Sequence, residues 1–151
     1  MCSALVYRMW YTQRVGKSRR PSRWHGPHAD PPEKQGKRVP AIFYRTEAGG
    51  EPVREWLKAL PSEDRKRIGE DIRTVEFGWP VGMPVCRSMG GGIYEVRTNL
   101  SQNRTARVLF YIDRKSRVVL LHGFVKKTRK TPEDDLALAR RNRDKHDKGL
   151  Q

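Results

Sequence analysis

Two stretches decide how this chain folds: Ile93-Tyr94-Glu95-Val96-Arg97-Thr98 and Thr105-Ala106-Arg107-Val108-Leu109-Phe110-Tyr111-Ile112-Asp113. Both are rich in β-branched and aromatic residues and read as strands. Side chains alternate across a strand. One face of the second stretch therefore collects Ala106, Val108, Phe110 and Ile112, and the other Thr105, Arg107, Leu109, Tyr111 and Asp113. The wholly apolar set belongs against a layer of helices, because burying each large side chain contributes about 1.5–3 kcal/mol. With Tyr94 and Val96 paired onto that set, Glu95, Arg97, Arg107 and Tyr111 converge on the opposite face, which is expected to be wet. Guanidinium groups grip phosphate with paired hydrogen bonds and aromatic rings stack on bases, so this face suits RNA. It equally suits a solvated sheet surface carrying cross-strand Glu–Arg pairs.

The surrounding punctuation supplies the other elements. Residues 99–103 have the composition of a hairpin loop. After the turn at Asp113-Arg114-Lys115-Ser116, residues 117–125 form a further strand, and residues 84–89 a weaker one that ends in Gly90-Gly91-Gly92. Upstream, Ala41-Ile42-Phe43-Tyr44-Arg45 reads as a short strand before Gly49-Gly50. Pro52 suits a first helical turn, and Val53, Trp56, Leu57 and Leu60 make one apolar helical stripe. Pro61 breaks it, Ser62 is expected to cap a second helix, and Ile68, Ile72 and Val75 form that helix's inner face. Thr131-Pro132-Glu133-Asp134 reads as a capping box opening a last helix that runs to about Asp147. Helices gathered apart from consecutive strands predict an α+β fold with helices on one sheet face.

The chain has 151 residues, one domain's worth, with 32 Lys plus Arg against 17 Asp plus Glu and a formal charge of +15. That excess points to a polyanionic partner bound in a salt-dependent way. Nine of the cations and two of the acids lie in residues 1–38. That segment reads as a disordered basic extension before a domain at 39–147. No run approaches the ~18 apolar residues of a membrane span, so no membrane partner is expected. Cys2 and Cys86 make neither a disulfide framework nor a zinc motif, and the cytoplasm is the expected compartment. Gly90-Gly91-Gly92 is a turn and not a phosphate loop, since no helix follows it. His122 stands near the end of its strand, just before Lys126, Lys127, Arg129 and Lys130. It is either a structural histidine or a group able to move a proton near neutral pH.

Several segments together resemble the RelE/HigB superfamily of type II toxins, most closely its phage-derived HigB-like branch. The carriers are Pro52-Val53-Arg54-Glu55-Trp56-Leu57, Gly78-Trp79-Pro80-Val81-Gly82-Met83-Pro84, Ile93-Tyr94-Glu95-Val96-Arg97 and Arg107-Val108-Leu109-Phe110-Tyr111. Leu121-His122-Gly123-Phe124-Val125-Lys126-Lys127-Thr128 and Thr131-Pro132 complete the series. The resemblance covers about residues 40–146. It implies a RelE-like fold: two N-terminal helices packed on a small antiparallel sheet, with a C-terminal helix. It implies a ribosome-dependent mRNA endoribonuclease without metal or other cofactor, in which the ribose 2′-OH attacks the adjacent phosphorus. It also implies a helix-turn-helix antitoxin as partner, beside the ribosome and mRNA.

Carried over by residue, the resemblance puts Arg107 and Lys126 on the scissile phosphate. Arg97 would stabilise transition-state charge and activate the 2′-OH. Glu95 stands where some members have a lysine, as a general base or as an orienting partner for Arg97, and His122 is a substitute base. Arg87, Arg104, Tyr111, Lys127, Arg129 and Lys130 make up the RNA-binding set. The terminal helix lacks the tyrosine that some members use to stack on a base. The competing readings are a toxin of the same fold acting on gyrase, as in the ParE branch, and a non-catalytic nucleic-acid-binding module.

Overall fold

The computed structural model describes residues 38–126 and 132–150. The basic extension, except for Arg38, and Lys127, Arg129 and Lys130 lie outside the described residues. Among the described residues no helix is long and apolar enough to cross a membrane.

The chain enters through strand β1 (Ala41–Phe43) and passes into helices α1 (Pro52–Ala59) and α2 (Ser62–Gly78). It then forms β2 (Cys86–Gly90), β3 (Ile93–Asn99), β4 (Thr105–Ile112) and β5 (Val118–Lys126), and closes with α3 (Glu133–Gly149). Pro52 sits in the first turn of α1, as its fixed φ and missing N–H allow. Ser62 is already inside α2 and is not its cap: Pro61 precedes the helix and offers no side-chain cap bond. Pro132 likewise stands just before α3 and makes no side-chain cap; Thr131, which opens the expected capping box, lies outside the described residues. Gly90, Gly91 and Gly92 all have positive φ, at 83°, 61° and 76°. Three residues in a row beyond the reach of ordinary side chains turn β2 into β3.

The sheet is mixed, with strand order β1-β5-β4-β3-β2. The expected purely antiparallel sheet is corrected here: β1 runs parallel to β5, Ile42 lying opposite Val119. The helical hairpin carries the chain from one sheet edge to the other, which frees β1 from its neighbour in sequence. Strands β2 to β5 then meander back antiparallel until the last one meets β1. The exposed edge of β1 is closed by α2. Glu76, itself buried, accepts the Ala41 N–H through Oε1 at 2.7 Å. Its backbone carbonyl takes the N–H groups of Arg38 and Val39.

Helices cover both faces of the sheet, which corrects the expectation of a single helical layer. Val96, Ala106, Val108, Phe110, Val118 and Leu120 pack beneath α1 and α2. Ile93, Leu109, Tyr111, Val119 and Leu121 pack on the other side, with Leu136 and Ala139 of α3. The second face is too apolar to leave wet. A β-bulge in β5 makes it so: Leu109 pairs with His122 but Phe110 with Leu120, leaving Leu121 without a partner in the ladder. The Leu121 carbonyl instead accepts Asn142 Nδ2 of α3 at 2.9 Å. At the far end of α3 the Tyr111 hydroxyl donates to Asp147 at 2.7 Å.

Two consequences are measurable. A methyl group on Gly123 would run into the ring of Trp56, which lies directly over that backbone. Gly123→Ala is expected to destabilise the fold by about 1–3 kcal/mol in urea titration. Asp113 holds the β4–β5 turn through the backbone N–H groups of Lys115 and Arg117 and through the Arg117 guanidinium. Burial works to raise its pKa, but the bonds from Arg117 outweigh it and hold the carboxyl below its ordinary value. A depressed carboxyl adds stability above the unfolded value of about 3.9, and that stability is lost as pH falls through the folded value. Thermal melts of wild type should fall across that acid range, and Asp113→Asn should flatten the fall.

Candidate functional site

Directly opposed residues in an antiparallel ladder share a face, so the register places the charged residues without ambiguity. Arg87, Glu95, Leu109 and His122 form one row across β2, β3, β4 and β5. Arg97, Arg107 and Phe124 form the next, and Asn99, Thr105 and Lys126 the one after. Rows on one face lie about 7 Å apart along the strand. All three rows are on the face that α3 covers further along, over Tyr111 and Leu121.

Arg97 and Arg107 stand directly opposite each other. Two like charges in that position repel. Glu95 relieves the repulsion: its Oε2 lies 3.2 Å from Arg107 Nη1 and its Oε1 3.5 Å from Arg97 Nε. The three exposures differ sharply. Glu95 is 0 % and Arg107 1 % exposed, whereas the Arg97 side chain keeps 25 % of its surface in solvent. Arg87 is exposed and Lys126 half-buried. The expected wet face is therefore corrected for Glu95, Arg107 and Tyr111, all of which are interior. Burial of an ion requires a partner, and here the carboxylate lies between two guanidiniums.

Arg97 also borders a cleft of about 310 Å³ between α2 and the end of β3. There Thr98 Oγ1 donates to Asp71 at 2.6 Å, and Arg67, Glu70 and Asn99 complete the polar wall. Cys86, nearby on β2, is buried. Burial first and the Glu95 charge second push its thiol up to about 11, so it stays protonated at neutral pH.

The remaining sequence candidates divide. Tyr111 is part of the second core, with His146 edge-on at 6.1 Å. Burial, and then its bond to Asp147, push the hydroxyl far above its ordinary value. A ring held this way is not presented for stacking on a base. Arg104 faces away from the cluster, its guanidinium 2.9 Å from the buried Asp64 at the start of α2, with further bonds to Ser101. Its surroundings are those of a brace between hairpin and helix. His122 stays on the cluster's face, stacked on Phe124 at 5.5 Å. Its Nε2 lies 2.7 Å from Asp135 Oδ1 of α3. Asp135 was missed in the sequence because an acid in a first helical turn is already explained by the helix dipole. Among the described residues no group of three or more His, Cys, Asp and Glu side chains is placed to hold a metal ion.

The phage-derived protein Gp49-like family (DUF891) matches residues 55–144, from within α1 into the second half of α3. No curated protein matches the chain. The family is toxin-like, lies in the broad RelE/HigB group and is associated with toxins of toxin–antitoxin systems, which implies an antitoxin partner. The matched span takes in the three charged rows and Asp135, and it covers more than half of the sequence. On that extent, this chain belongs to the phage-derived Gp49-like family.

Proposed function

We propose that this protein is the toxin of a type II pair and cuts mRNA on the ribosome by attack of the ribose 2′-OH on the adjacent phosphorus. One observation carries the reading: a solvent-facing Arg97 held on a buried Glu95, directly across from Arg107, with Arg87 and Lys126 in the neighbouring rows. Such an array suits a phosphodiester that gains negative charge as its phosphorus becomes five-coordinate. Donors already oriented at that charge need no reorganisation during the reaction.

The roles follow exposure. Arg97, Lys126 and Arg87 meet the phosphates of the RNA. Arg107, being interior, is a positioning residue that acts through Glu95, and not a direct phosphate ligand. Glu95 orients Arg97 and moves no proton, since its carboxylate faces guanidiniums and is closed to solvent. The RelE-like domain spans 39–147, preceded by the basic extension of 1–38, and Lys127, Arg129 and Lys130 add to the RNA contact. The site works in the cytoplasm without a cofactor. The antitoxin is a helix-turn-helix protein, drawn to the cationic face by opposite charge.

Controlled expression with mapping of RNA ends tests this. Cuts should appear within translated codons and only when ribosomes are present. Arg97→Ala should lower cleavage by ~10²–10³-fold, the cost of one such donor, in a chain that still folds because Arg107 keeps its pair with Glu95. Growth arrest with intact mRNA would sink the reading, and a simultaneous loss of supercoiling would point to gyrase. Glu95→Gln should cost about 3–5 kcal/mol in urea titration, because two buried or half-buried cations then face each other. The cleavage that remains should keep the wild-type pH profile.

A further inference from the structure

The cleavage proposed above needs a proton for the leaving 5′-oxygen, and the arginine cluster does not supply one readily. His122 is the group on the same face with geometry suited to that task. It lies in the row of Leu109, Glu95 and Arg87, next to the row of Arg97 and Arg107. Its ring is nearly parallel to Phe124, at an interplanar angle of 24°. Its Nε2 is 2.7 Å from Asp135 Oδ1, in the first turn of α3. Both side chains are partly shielded from water, at 19 % and 25 % exposure.

An ionised carboxylate accepts hydrogen bonds and donates none, so Asp135 fixes Nε2 as an N–H. The other nitrogen, Nδ1, is the one left for chemistry. Stacking on Phe124 sets the plane of the ring, and the carboxylate sets its rotation. A histidine held with one nitrogen on a carboxylate, its other nitrogen able to carry a proton, is a recurring proton-transfer unit on unrelated folds. The charged groups that share its face are Asp135 from α3, in direct contact, Glu95 from β3 and Arg87 from β2 along its row, and Lys126 further along β5.

We propose that His122 is the general acid of the cleavage and Asp135 its positioning residue; this rests on the nuclease reading above. The 2′-oxygen bonds to phosphorus while its proton passes to solvent water. The bond from phosphorus to the 5′-oxygen breaks, and its electron pair stays on that oxygen. The Nδ1 proton of the imidazolium moves there. The products are a 2′,3′-cyclic phosphate, a 5′-hydroxyl and a neutral imidazole that still donates Nε2–H to Asp135. Water returns the proton before the next turnover.

The test uses the full chain, ribosomes and an mRNA carrying either oxygen or a bridging sulfur at the 5′ position of the mapped cut. A thiolate leaves without a proton. With oxygen, wild-type cleavage should fall about tenfold per pH unit on the alkaline limb of its profile; with sulfur that fall should vanish. His122→Gln should cut the oxygen substrate ~10²–10⁴-fold more slowly, and Asp135→Asn about tenfold or more. Both should return to near the wild-type rate on sulfur, and Asp135→Glu should recover part of the loss on oxygen. Variants equally slow on both substrates would show a structural contact and overturn the proposal. So would a wild-type pH dependence identical for oxygen and sulfur, a comparison that needs no variant to fold. Wild type that cuts neither substrate overturns the nuclease reading and the acid with it. Cutting both with one pH profile overturns the acid alone.

Discussion

Strand β4 is buried without a break from Ala106 to Tyr111, on both of its faces. A strand in that position needs a covering layer on each side, and the arrangement of the chain follows from this. The α1–α2 hairpin covers the even-numbered face, and α3 crosses the odd-numbered one. The bulge in β5 serves the same demand. By adding one residue it lets Val118 and Leu120 face one core and Val119 and Leu121 the other, while His122, Phe124 and Lys126 stay on the α3 side.

Double-sided burial also sets the electrostatics. Arg107 belongs to β4 and goes inside with its neighbours, although an unpaired interior cation is costly. Glu95 meets it from β3 and extends the contact to Arg97, whose guanidinium reaches solvent. A charge held from beneath by a buried carboxylate loses little freedom when it binds an anion, which is the advantage of a preorganised donor. Helix α3 links the two aspects. It completes the second core with Leu136 and Ala139, and its first turn brings Asp135 to His122.

Much of this was legible from residue types and spacing. The alternation in β3 and β4 placed Glu95, Arg97, Arg107 and Tyr111 on one face, because a period of two is a local property of an extended backbone. The stripe at Val53, Trp56, Leu57 and Leu60 and the three glycines after Met89 were likewise readable, since each reports local backbone geometry. Less was legible about what covers each face. Leu109 and Tyr111 alternate with Thr105, Arg107 and Asp113, so that side of β4 reads as half polar. The run from Val118 to Leu121 is apolar at every position and shows no face at all. Arg104, placed by the resemblance among the RNA-binding residues, is distinguished only by its distance to Asp64.

The sequence by itself determined the order of elements, the sidedness of the central strands, the cationic balance and the resemblance to a toxin family. These depend on neighbours a few residues apart or on simple sums over the chain. Tertiary structure alone decided that β1 lies parallel to β5, that α3 covers the second face, and that Arg107 is interior while Arg97 is not. It alone joined His122 to Asp135 and Tyr111 to Asp147. Burial and pairing between residues distant in the chain depend on how whole layers stack, and no local pattern of residues encodes that distance.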